Sequence, residues 1–297
     1  MLQFFRKKPL VWLYVAGGLL LIAGVVVWCC KINMNPERVF WKTIERGLAS
    51  QGVTINTEQT GEGVVAKQTI QFSLGASSLT HSLTTLTQTG TTVKNEMIGT
   101  PTTDYSRYLS VTTDQKKADG SPIDFSKVIN VWAKGEEGTG QVFTQALFGG
   151  SLPIGGMGVP IGKVPPEARS GLMQQIRDDN VYDVTFGDVK KERVHGRLQY
   201  TYNVSVHPVG YVALMKRFAQ EIGLHGLDQL DPKQYEGQAG FKLQVTVDAR
   251  AQQIVRISAP GTGGSQTYSG YDIPVQVRPP EKAISGGELQ QLLSELQ

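Results

Sequence analysis

The chain has 297 residues and a net charge of +3, with 29 basic and 26 acidic side chains. Arg6, Lys7 and Lys8 account for that excess, because removing these three leaves 26 basic residues against 26 acidic ones. A neutral remainder lacks the positive field that collects phosphates, so nucleic acid is excluded as a partner. Both cysteines, Cys29 and Cys30, precede residue 31, so no disulfide can form within 31–297.

The first candidate element is an apolar run at 10–30, which holds 21 residues without a charge or a proline. At about 1.5 Å per residue, such a helix crosses the roughly 30 Å hydrocarbon layer of a bilayer. The run therefore predicts a single-pass cell-membrane protein with a cytoplasmic N-terminus at 1–8, a transmembrane helix at 9–30 and an extracytoplasmic domain at 31–297. The alternatives are a cleaved secretory signal and a lipid attached to Cys29 or Cys30.

A helix is predicted next, over 35–50, because Asn35 can cap it and Pro36 suits its first turn. Phe40, Ile44 and Leu48 recur every four residues and form one apolar stripe. We expect this stripe to pack on a sheet.

Residues 53–113 are rich in threonine and β-branched side chains, which predicts an antiparallel meander. Ile70, Phe72 and Leu74 alternate with polar residues, as in a sheet with one apolar face. The polar stretch 84–92 is predicted to be an edge strand or a hairpin. A disordered, threonine-rich stalk is the alternative for this region.

The second half alternates more strictly, over 197–206 and 241–248, which predicts two strands. The second of these continues through a short turn into a hairpin partner at 255–259. Amphipathic helices are predicted at 166–177, 207–222 and 288–296. Strand runs with intervening helices and no regular βαβ alternation indicate an α+β fold, with helices on one face of an antiparallel sheet.

Residues 148–165 are apolar but saturated with glycine and proline, so they fit neither a helix interior nor a central strand. An apolar loop of this kind is predicted to cover something, either the core as a plug or a cavity as a lid. The covering residues would be Leu152, Ile154, Met157, Val159 and Ile161.

No motif for catalysis or metal binding is present. The four histidines are scattered without metal-ligand spacing, and the 31–297 region has no cysteine. Nucleophile motifs are also missing. We therefore expect no enzyme activity, no metal and no cofactor; a carboxylate pair assembled by folding is the alternative.

The stretch 194–284 carries a family resemblance. It reads VHGRLQYTYNVSV, an amphipathic helix, FKLQVTVDARAQQIVRI and then YSGYDIPVQVRPPEKAI. This order resembles the C-terminal half of the bacterial lipoprotein-carrier fold, the LolA/LppX-like group. The resemblance implies a strongly curved antiparallel sheet, or half-barrel, packed with helices over an apolar cavity. The chain departs from that group in having no lipobox.

Taken with the membrane helix, the resemblance predicts a membrane-anchored extracytoplasmic binding module for a lipid or other hydrophobic ligand, without catalysis. Its partners would be the lipid bilayer, a lipid or lipoprotein ligand, and an envelope protein. The alternative is an envelope sensory or protein-interaction domain with no bound ligand. The residues expected to line the cavity, which could equally form a sealed core, are Phe72, Leu198, Tyr200, Tyr202, Phe241, Leu243 and Val245.

Overall fold

The computed structural model of the protein describes residues 34–61, 63–74, 78–136, 158–224, 227–261 and 264–296. The helices of these residues are α1 (Pro36–Ala49), α2 (Pro166–Asp178), α3 (Pro208–Glu221) and α4 (Gly286–Ser294). The strands are β1 (Gly52–Gly61), β2 (Val64–Ser73), β3 (Leu79–Gln88), β4 (Thr91–Gly99), β5 (Asp104–Thr112), β6 (Ala133–Lys134), β7 (Tyr182–Val184), β8 (Lys190–Val194), β9 (Arg197–Val206), β10 (Phe241–Asp248), β11 (Gln253–Ser258), β12 (Ser265–Ser269) and β13 (Ile284–Ser285).

All thirteen strands belong to one sheet. Its order is β13-β6-β5-β4-β3-β2-β1-β12-β11-β10-β9-β7, and β8 also pairs with β9. Strands β1 to β5 form a consecutive antiparallel meander, so the predicted meander is confirmed and the disordered stalk is wrong. Thr89 and Gly90 connect β3 to β4 with φ angles of 43° and 75°, which suits a tight hairpin turn.

The predicted fold class needs correction. We expected an N-terminal transmembrane helix followed by a curved antiparallel half-barrel packed with helices, whereas the structure shows a large mixed sheet with few helices. The sheet is mixed because β13 pairs with β6 in parallel, Ile284 opposite Ala133. Two-residue strands are too short to produce a period-2 pattern, and their partners are far apart in the chain, so the sequence did not reveal this pairing.

The predicted localisation also needs correction. Within the described ranges no helix is long and apolar enough to cross a membrane. The longest two, α1 and α3, have 14 residues each and span only about 21 Å. The prediction of a single-pass membrane protein with an extracytoplasmic domain is therefore not supported. The segment at 9–30, on which it rested, lies outside the described residues.

Helix α1 forms as its sequence predicts. The Asn35 side chain accepts hydrogen bonds from the backbone N–H groups of Glu37 and Arg38, at 2.9 and 3.3 Å, and so caps the first turn. Phe40, Ile44 and Leu48 are all buried. The apolar stripe therefore packs on the sheet, as expected, in a core shared with α2 and α3.

Most of the buried apolar residues that the structure describes fall into two clusters. The main cluster joins α1, α2 and α3 to β1, β2 and β9–β12. A smaller cluster contains Val128, Ala133, Leu289 and Leu296, and it joins α4 to β6, near the β13 end of the strand order. The sheet is thus covered by two separate packing units.

Candidate functional site

The seven residues predicted to line a ligand cavity lie together in the main hydrophobic cluster. Five are buried and two are partly buried against them; the buried ones are Phe72, Tyr200, Tyr202, Leu243 and Val245, and the partly buried ones are Leu198 and Phe241. Strand alternation explains why the six residues on β9 and β10 converge, because Val245 lies opposite Tyr202 and Leu243 opposite Val204 in the β9–β10 ladder. Phe72 joins the same cluster from β2. Whether this apolar face admits a ligand stays a prediction.

Phe40 of α1 lies over this face. Its ring centroid is 5.1 Å from that of Tyr202, 5.9 Å from Phe186 and 6.3 Å from Tyr182. The Tyr200 and Tyr202 rings are 6.3 Å apart at 85°. These edge-on and tilted contacts are favourable for aromatic rings. Phe40 was predicted to face a sheet, but its place among the candidate lining residues was not foreseen.

Tyrosine hydroxyl groups tie the covering segments to the sheet. Tyr200 donates to the carbonyl oxygen of Met34 at 2.7 Å, and Tyr202 donates to that of Pro36 at 2.8 Å. Pro36 is the first residue of α1, and Met34 precedes the helix by two residues. Burial raises the pKa of both tyrosines, so their hydroxyls remain neutral donors.

Two segments cover the apolar face: α1 is the first, and the segment 158–164 is the second. Ile161 is buried in the main cluster and Val159 packs against it. The backbone N–H groups of Gly162 and Val164 donate to carbonyl oxygens at the end of α1, at 3.1 and 2.9 Å. Tyr182 donates to the carbonyl oxygen of Gly158 at 3.2 Å. The three other predicted lid residues, Leu152, Ile154 and Met157, lie outside the described residues.

Gly162 is at a point of close approach within this cover. A Cβ atom at Gly162 would lie 2.5 Å from Cζ of Phe218, a fully buried residue of α3. Real side-chain carbons do not approach so closely, so the segment packs against α3 because position 162 has no side chain. The described part of the loop is therefore held from both sides, by α1 and by α3.

A row of polar side chains crosses the sheet beside this apolar face. Gln266, Thr57 and Gln68 lie opposite one another on β12, β1 and β2. Gln266 is 2% exposed and accepts a hydrogen bond from the Tyr268 hydroxyl at 2.8 Å. Gln68 donates to the Ser82 hydroxyl at 3.1 Å. Buried polar groups are costly unless they are hydrogen-bonded, and these bonds meet that need.

A charged network joins β3, β4 and β5. The Glu96 carboxylate bonds to Nε2 of His81 at 2.8 Å and accepts from Nε of Arg107 at 2.7 Å. The Arg107 guanidinium lies 4.5 Å from the centre of the Trp132 ring. Burial alone would raise the pKa of Glu96, but the hydrogen bonds from His81 and Arg107 outweigh it and lower the pKa.

The described residues contain no group of three or more His, Cys, Asp or Glu side chains that could hold a metal ion. A cleft of about 860 Å³ lies at the start of α3, and its lining includes Asp179, Asp183 and His207. Asp248, the most buried aspartate described, uses one oxygen to accept from the backbone N–H groups of Arg250 and Ala251.

No protein-family model matches the chain, and no curated protein matches it.

Proposed function

We propose that this protein is a non-catalytic binding module for a lipid or other hydrophobic ligand. The site would be the apolar face of β9 and β10 beneath α1 and the segment 158–164. The observation that carries the proposal is the convergence of all seven candidate residues in one cluster under two separately attached covers. Binding sites for apolar ligands are lined mainly by hydrophobic and aromatic side chains, with few polar groups.

The covers suggest how a ligand would enter. Leu198 and Phe241 are the partly buried members of the set, so they would be the first residues that an entering ligand meets. A ligand chain would then take the place of the Phe40 ring against Tyr202. Replacing the contact between Phe40 and Tyr202 by a contact between the ligand and Tyr202 costs little free energy, because both contacts are apolar. Each further Å² of apolar ligand surface that is buried stabilises the complex by about 25 cal/mol.

The polar row supports a ligand with one polar end. Gln266 and Thr57 are buried, and they lie on β12 and β1 next to apolar residues of the main cluster. An amphiphile could place its chain over β9 and β10 and its polar group at this row. Catalysis forms no part of the proposal.

A second function is favoured by the closeness of the packing. Phe40 already contacts Tyr202 at 5.1 Å between ring centroids, and Tyr202 is fully buried. A sealed core of this kind fits a protein-interaction domain that has no interior ligand. The two proposals differ in whether the interior takes up an apolar molecule.

The test is direct binding of an 18-carbon fluorescent fatty acid to the full-length protein. We expect wild type to bind and Leu243→Arg to lose binding, because a charge would lie on the apolar face. Lys242→Arg is the matched control, since Lys242 is the exposed neighbour on the same strand. Native mass spectrometry would show whether a lipid co-purifies.

Phe40→Ala separates the two proposals. If a ligand replaces the Phe40 ring, this substitution enlarges the space and strengthens binding of the probe. If the interior is a sealed core, no probe binds to the folded variant; a loss of stability is expected in either case, because Phe40 is buried. Thermal unfolding of each variant, measured alongside, identifies a loss of binding that comes only from loss of fold. Absence of binding in both wild type and folded Phe40→Ala would reject the hydrophobic-ligand proposal.

A further inference from the structure

Helix α4 belongs to the smaller packing unit. Leu289 and Leu296 are buried against Val128 and Ala133, and this cluster is separate from the main core. Leu289 is the one buried residue of α4 itself. The helix is therefore attached by a small apolar contact, and its packing does not depend on α1, α2 or α3.

The backbone attachment of this unit is equally small. Strand β13 pairs with β6 through two residue pairs, and β6 pairs with β5 through two more. Before β13, the segment 273–283 is mostly exposed and contains three prolines. At its start, the backbone N–H of Ile273 donates to the carbonyl oxygen of Gly270. Directly after the segment, the backbone N–H of Ile284 donates to the carbonyl oxygen of Trp132. The unit can therefore separate without breaking the meander β1–β5.

Trp132 connects this unit to the charged network. Its carbonyl oxygen accepts the backbone N–H of Ile284 at 2.8 Å, while its ring lies under the Arg107 guanidinium. Arg107 is held by Glu96 at 2.7 Å. The hydrogen bond to the Glu96 carboxylate fixes the orientation of the planar Arg107 guanidinium. The carboxylate therefore positions this cation over the Trp132 ring.

We infer that β13 and α4 form a latch, which opens as a unit while the rest of the sheet stays folded. Glu96 acts as a positioning residue that keeps the latch closed through Arg107 and Trp132. Opening the latch exposes Tyr108, which packs against the smaller cluster, and the outer edge of β6, with which β13 pairs. This inference goes beyond the proposed ligand function and does not require it.

Hydrogen–deuterium exchange of the full-length protein tests the latch. In wild type we expect the amides of α4 to exchange faster than those of β9 and β10, because local opening needs less free energy than global unfolding. In Glu96→Gln we expect α4 and β13 to exchange about tenfold faster still, as a charge-assisted contact is lost. Exchange in β9 and β10 should stay unchanged.

Glu58→Gln is the matched control. Glu58 forms an ion pair with Lys67 at 3.0 Å on the same sheet, but that pair is exposed and remote from Trp132. This variant should leave exchange in α4 at the wild-type rate. Leu289→Ala weakens the latch directly and should raise exchange in α4 while the Glu96 network is intact. The inference is overturned if α4 exchanges only together with β9 and β10, or if Glu96→Gln has the same effect as Glu58→Gln.

Discussion

Replacing Phe40 with alanine should strongly destabilise the protein. Phe40 is 2% exposed and has ring contacts with Tyr202, Phe186 and Tyr182. Removal of a buried phenylalanine side chain costs about 3–5 kcal/mol, since apolar burial is lost and a cavity remains. Loss of the aromatic pairing contributes within that range, at about 0.5–1.5 kcal/mol for a pair.

Equilibrium unfolding in urea measures this cost. The midpoint should fall while the slope stays constant, because the same surface is exposed on unfolding. Lys42→Ala on the same helix is the control; its side chain is 46% exposed and pairs with Glu45, so we expect a change within about 0.5 kcal/mol. If Phe40→Ala lowers the free energy of unfolding by less than about 1.5 kcal/mol, the Phe40 ring is not tightly packed against β9, and the prediction is wrong.

Three further predictions concern other parts of the fold. Gly162→Ala should destabilise the protein, because its Cβ would lie 2.5 Å from Cζ of Phe218, and thermal unfolding should show a lower midpoint than for wild type. Asn35→Ala should cost about 1 kcal/mol in urea unfolding, through loss of the α1 cap; Asn35→Asp, which keeps an acceptor, should be nearly neutral. The pKa of Glu96 is lower in the folded state than in the unfolded state. The Glu96 carboxylate therefore stabilises the folded protein above the pKa of the unfolded state, and this stabilisation is lost as the pH falls through the pKa of the folded state. Unfolding measured below about pH 4.3 should therefore show a smaller pH dependence in Glu96→Gln than in wild type, and equal slopes would contradict this account.

The sequence predicted the elements with strong local patterns. Strands β9 and β10 alternate apolar and polar residues without interruption, and the structure confirms them. The stripe of Phe40, Ile44 and Leu48 predicted that α1 packs on a sheet, which is also confirmed. These signals are local because each depends on the periodicity of one segment.

Other features could not be read from such patterns. β6 and β13 have two residues each, and their parallel pairing joins positions about 150 residues apart. The bonds from Tyr200 and Tyr202 to the start of α1 join residues 166 positions apart in the chain. Neither the sheet order nor these hydroxyl contacts has a local signature. The apolar face and a covering loop could therefore be predicted, but not the hydrogen bonds that hold α1 over the face. The likeness to lipoprotein carriers stays a prediction.

The two margins of the sheet have a consequence for association between copies of the protein. Strand β8, which pairs with β9 at one margin, carries Lys190, Lys191, Glu192 and Arg193 in succession. Charged residues on a short outer strand oppose the addition of a foreign strand there. At the opposite margin the short β13 offers few free backbone groups while it is in place. Loss of β13 and α4 would leave β6, the next strand in the sheet, without its outer neighbour, so conditions that detach them should also favour self-association.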